Sequence, residues 1–143
     1  MKITGRPLIR AFASIFLLFA PARIWADTMT WTNTSGGNWN VAANWSPNQV
    51  PGAADTALIN TPGTYVVNVN STADVASLTV GGAAGAQTLQ VMSGGVLDEF
   101  GGTLASTGSL TVQGGGVLNV ASTFSLQGPL TNAGTINLTN ATF

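Results

Sequence analysis

Any chemistry in this chain has to come from a short inventory of side chains. Four carboxyl groups lie in its body, Asp55, Asp74, Asp98 and Glu99, with a fifth, Asp27, ahead of them. Histidine and cysteine are absent, and the basic residues are Lys2, Arg6, Arg10 and Arg23 alone. A nucleophilic triad has no imidazole to act as its base. Disulfides and thiolate metal sites have no sulfur. Glycoside hydrolysis asks for less: two carboxyls facing one bond at roughly 5 to 9 Å. Asp98 and Glu99 are adjacent and would point to opposite faces of a strand, so only carboxyls from different stretches could converge. Asp55 follows Pro51-Gly52 and precedes an apolar run, the setting of a side chain that accepts from turn amides. The acids have no calcium-ligand spacing. The expectation is no catalytic residue, no metal ligand and no cofactor.

The aromatic residues are the better binding candidates. Trp31, Trp39 and Trp45 fall within 15 residues, interleaved with Asn33, Asn38, Asn40 and Asn44. Indole faces stack on sugar rings and carboxamides bond hydroxyls, so carbohydrate is the ligand this cluster would suit. The same residues could equally plug the end of an apolar interior.

These candidates must be placed on a chain whose first segment reads as a leader. Lys2, Arg6 and Arg10 precede the apolar run Ala11–Ala20, and small residues follow at Ala22 and Ala26, the pattern of a secretory signal peptide over residues 1–26. The run is about half the roughly 20 residues that cross a bilayer. From Asp27 onward no basic residue remains, and five carboxyls give a side-chain charge of −5. Nucleic acid is excluded as a partner, because nothing is left to neutralise phosphates. Export without cysteine fits a bacterial envelope or exterior better than a disulfide-stapled domain.

The remainder is organised by a repeat. Leu89-Gln-Val-Met-Ser-Gly-Gly-Val-Leu97 recurs as Leu110-Thr-Val-Gln-Gly-Gly-Gly-Val-Leu118, six of nine positions identical at an offset of 21. Each copy alternates apolar and polar residues, breaks at glycines and resumes, as short strands joined by tight turns do. Such a unit buries its apolar face only by stacking on its neighbours. At about 3.3 Å per residue the period matches one coil of a parallel β-helix, with coils about 4.8 Å apart. Residues 56–143 then make about four coils. Leu89, Val91, Leu110, Val112, Leu118 and Val120 should face inward, and Gln90, Thr111 and Asn119 outward. The drifting repeat pairs Leu110 with Leu130, Leu118 with Leu138 and Gly114 with Gly134. Strands are expected at Thr56–Ile59, Thr64–Val69 and Val75–Val80. Glu99 falls at the inward position of Val120, where an unpaired carboxylate would be costly. A strand that ends at Leu97, leaving both acids solvated at a corner, is therefore expected. Residues 27–55, rich in Trp, Asn and Gly, read as short irregular strands capping the first coil.

The run Trp31…Gly36-Gly37-Asn38-Trp39…Ala43-Asn44-Trp45-Ser46-Pro47…Val50-Pro51-Gly52…Asp55-Thr56, with strands of the form Ser77-Leu-Thr-Val-Gly-Gly82, resembles the start of bacterial secreted proteins with autotransporter-type β-strand repeats. The resemblance implies an all-β, right-handed parallel β-helix and an adhesin-like passenger, secreted or displayed on the cell surface. It implies no catalytic residue that maps onto this chain. The expected function is a non-catalytic structural or adhesin-like segment; the alternatives are a carbohydrate-binding module using the tryptophans and the N-terminal part of a polysaccharide-processing β-helix enzyme. Glycans or other cell-surface material are the expected partners. End-to-end self-association through the last coil is a further expectation, since the sequence stops partway through a coil, as a fragment of a longer protein would.

Overall fold

The computed structural model describes residues 25–141. The expected leader lies outside them except for Trp25 and Ala26. The described chain is an all-β solenoid of about four coils, each with three short strands joined by two corners and linked to the next coil by a third. The opening turn comprises β1 (Thr28–Trp31), β2 (Gly37–Asn38), a 3-10 turn at Ala42–Asn44 and β3 (Trp45–Ser46). The first coil is β4 (Thr56–Ile59), β5 (Gly63–Val69) and β6 (Thr72–Val75); the second is β7 (Ser77–Val80), β8 (Gly85–Val91) and β9 (Val96–Glu99). The third is β10 (Gly102–Leu104), β11 (Gly108–Val112) and β12 (Val117–Val120), and the fourth is β13 (Phe124–Leu126), β14 (Leu130–Asn132) and β15 (Thr135–Leu138).

Three sheets result, with strand orders β13-β10-β7-β4-β1-β3, β14-β11-β8-β5-β2 and β15-β12-β9-β6. Every pairing is parallel except that of β3 on β1. The cap is therefore less separate than its composition suggests. β1 and β2 already lie in register on β4 and β5, and only β3 reverses direction.

Alternation along each strand builds the core. Leu89 aligns with Leu110 and Val91 with Val112, all four buried, while Gln90 and Thr111 between them face outward. On the outer face the Thr88 and Ser109 hydroxyls hydrogen-bond at 2.8 Å. A buried leucine or valine is worth roughly 1.5–3 kcal/mol relative to exposure, and the stack from Met29 to Phe124 repeats that contribution coil after coil.

The corners set the register, and they vary. Leu110 does stand over Leu130, but Leu118 aligns with Ile136, and Leu138, aligned with Val120, is half exposed. The reason is a shorter corner. Five positions separate Val112 from Val117, whereas three separate Asn132 from Thr135, so between the third and fourth coils the third sheet is offset by 18 residues where the second is offset by 20. The expected strand Val75–Val80 is likewise two strands. Val75 and Leu78 are both buried although they are an odd number of residues apart, so the chain bends at Ala76, whose amide donates to the Asp55 carbonyl.

Two corners repeat in detail. The Gly95 amide donates to the Met92 carbonyl, and the Gly116 amide to Gln113, with Gly94 and Gly115 at φ of 80° and 83°. A type II turn requires that positive φ at its third position, which is why glycine stands there in both copies. Among the described residues no helix is long and apolar enough to cross a membrane.

Candidate functional site

The tryptophans close the first coil. Trp31 ends β1, Trp45 begins β3 in antiparallel register with it, and Trp39 follows β2. Trp31 and Trp45 meet edge to face at 5.1 Å between ring centroids, and Trp39 and Trp45 at 4.7 Å. All three are between 0% and 2% exposed. The Trp31 indole donates to the Asn33 carbonyl at 2.7 Å and the Trp45 indole to the Trp39 carbonyl at 2.8 Å, while Trp39 Nε1 is buried without a partner.

The carboxamides are used locally as well. Asn33 Nδ2 donates to the Gly36 carbonyl and to Asn44 Oδ1, and Asn44 Nδ2 donates to the Asn38 carbonyl. The indole faces and the Asn33 and Asn44 amides are spent inside the protein, while Asn38 and Asn40 stay exposed to solvent. Asp55 also works structurally: it is buried and accepts from the Gly52 amide at 2.8 Å and the Asp27 amide at 3.0 Å, tying the entry of the chain to the first coil.

The other acids gather on the third sheet. Asp74 on β6 aligns with Asp98 on β9, which aligns with Asn119 on β12 and, beyond it, Asn137 on β15. Asn137 Nδ2 donates to Asn119 Oδ1 at 2.7 Å and Asn119 Nδ2 donates to Asp98 Oδ1, with Asp74 next in register. Burial, and then the hydrogen bond and charge of Asp98, raise the Asp74 carboxyl above its ordinary value. Carboxyls from two coils do converge, as neighbours in register on adjacent strands. Beside the ladder lies a groove of about 450 Å³ whose lining includes Asp74, Asp98, Asn119 and the half-exposed ring of Phe100.

Glu99 overturns an expectation. β9 does not end at Leu97; it continues through Asp98 and Glu99, and Glu99 faces inward between Val75 and Val120. It is 1% exposed, and neither carboxyl oxygen has a hydrogen-bond partner. Burial pushes its pKa up to about 7, the nearby Gly101 amide opposing the rise without completing a hydrogen bond. The strand persists because Asp98 is held in the outer ladder and the Glu99 carbonyl accepts the Ala121 amide at 2.9 Å. The backbone pairing thus carries the acid inside. The 21-residue offset to Val120 is the sequence signal that locates it.

Gln87 carries a role that sequence reasoning missed. It is fully buried, with Oε1 accepting from the Gly82 amide at 2.9 Å and Nε2 donating to the Gly63 and Ala84 carbonyls. Its parity with Leu89 and Val91 marks it as inward-facing. Among the described residues no three His, Cys, Asp or Glu side chains cluster so as to hold a metal ion.

Fold and site together define a three-sided parallel β-solenoid closed at one end by tryptophan. No family model, curated protein or solved structure matches the chain.

Proposed function

We propose that the chain is a non-catalytic, extracellular structural or adhesin-like segment of a bacterial secreted or surface protein, similar to the autotransporter-type β-strand-repeat passengers whose opening motif it resembles. One observation carries the reading: the tryptophan cluster is consumed in closing the core. A platform for sugar binding would leave indole faces open, so the carbohydrate-module alternative is the weaker one. Binding, in this proposal, belongs to the lateral faces, where ladders such as Thr88–Ser109 and the amide end, Asn119–Asn137, of the third-sheet ladder would meet glycans or other cell-surface material through hydroxyls and amides. End-to-end self-association belongs to the same proposal, through the outer edges of β13, β14 and β15, where Leu138 is half exposed.

The test is to express the full reading frame with a C-terminal tag in a Gram-negative host, fractionate the cells and sequence the N-terminus of the product. The proposal expects an exported chain beginning at Asp27. An uncleaved cytoplasmic product overturns it. Retained glycan binding by a Trp39→Ala, Trp45→Ala double variant that is still folded by circular dichroism would place binding on the lateral faces; selective loss would return it to the cap.

A further inference from the structure

The third sheet places an acid where every aligned neighbour is apolar. Glu99 stands between Val75 on β6 and Val120 on β12, shielded from solvent, with both oxygens unpartnered. The described residues contain no Lys, Arg or His that could neutralise it. On the elements around it the titratable groups are few. Asp74 on β6 and Asp98 on β9 itself belong to the outer ladder, and β10, β12 and β13 carry none. The corner that follows is built in the opposite sense, with the aromatic ring of Phe100 half exposed to water. Gly101, at φ 156°, and Gly102 come next, two residues without side chains at the point where the chain turns into β10.

We propose that Glu99 is a proton-operated latch on the corner between β9 and β10: protonated, it keeps the corner packed on the core; ionised, it leaves the interior and the corner opens about Gly101 and Gly102. The physical ground is the asymmetry between its two forms. A neutral carboxyl is tolerated in an apolar interior at modest cost, whereas a carboxylate with neither partner nor water is not. A glycine pair lets the backbone turn where a residue with a side chain would resist. The alignment of Glu99 with Val75 and Val120 marks what opens with it, namely the end of β9 and its pairing with β12. Burial sets the operating range near neutrality. The inference is independent of whether the chain is exported or binds glycans.

Hydrogen–deuterium exchange of the full chain at pH 5.5 and 8.5, corrected for intrinsic exchange rates, tests it. Peptides covering residues 96–104 and 117–124 should lose tenfold or more of their protection at the higher pH, while residues 63–69 keep theirs. Glu99→Gln and Glu99→Val should abolish the difference. Glu99→Val continues the flanking valine stack, so it reports even if the buried amide of Glu99→Gln prevents folding. Unchanged protection in the wild type, or an equal loss in Glu99→Val, overturns the latch.

Discussion

Asp74 and Asp98, 24 residues apart in the chain, stand side by side in register on adjacent coils. Two carboxylates so placed repel, and retaining a proton between them removes the repulsion. Asp74→Asn should keep the ladder in register and leave Asp98 as its single carboxyl. Stability at pH 8 should rise by a few tenths of a kcal/mol, as expected for a partly solvated pair, read as a higher urea midpoint with an unchanged slope.

Burial raises the carboxyls of Glu99 and Asp74 above their ordinary values, so the two groups should make the protein more stable in mild acid than at neutrality. Between the ordinary value of 4.5 and about 7, folded Glu99 holds a proton that the unfolded chain has released. Its contribution is therefore fully present below 4.5 and is lost as the pH rises through about 7. The loss should reach up to roughly 3 kcal/mol. Urea unfolding at pH 4.5, 6 and 8 checks the direction, and Glu99→Gln should flatten most of the slope.

Trp45 touches both other tryptophans of the cap and donates to the Trp39 carbonyl. Trp45→Ala should cost about 3–5 kcal/mol, in the range for a buried aromatic. The same variant should red-shift tryptophan emission, as Trp31 and Trp39 gain water. A change under about 1 kcal/mol would mean that the cap does not seal the core.

Leu110 lies midway along its stack, fully buried between Leu89 and Leu130, whereas Leu138 is half exposed on the last coil. Leu110→Ala should cost about 2–5 kcal/mol, and Leu138→Ala under about 1 kcal/mol. Equal costs in denaturant unfolding would contradict this stacking register.

Gly115 holds φ at 83°, and an added Cβ would come within 2.7 Å of the Ser93 hydroxyl, while its neighbour Gly114 has 3.8 Å of room and no positive φ. Gly115→Ala should cost about 1–2 kcal/mol. Gly114→Ala should be close to neutral or slightly stabilising. Thermal melting of the pair separates backbone strain from simple loss of glycine.

Period-two alternation is enough to read the inward set. Leu89, Val91, Leu110, Val112, Leu118 and Val120 are all buried, and the turn role of Asp55 is legible from the Pro-Gly before it. Corner lengths are not legible. They change from coil to coil, so neither the alignment of Leu118 with Ile136 nor the bend at Ala76 follows from one fixed offset. The position of Glu99 escapes for a related reason. Solvation argues for a corner at Leu97, but three-sided backbone pairing is cooperative across coils and carries the strand two residues further. Gln87 lacks any compositional cue, because its partners are backbone groups of the preceding corners.

Among the described residues β3 is the one reversed strand, and it gives the solenoid a polarity of growth. It finishes one of the three sheets, beyond β1, in the opposite direction, so a copied parallel repeat fits among the coils and not beyond β3 in that sheet. Duplicating the 21 residues from Val96 to Gly116 would insert one more rung of about 4.8 Å between existing coils and leave the tryptophan end as it is. Length in this architecture is thus an adjustable quantity, open to change by gene duplication without redesign of the closed end.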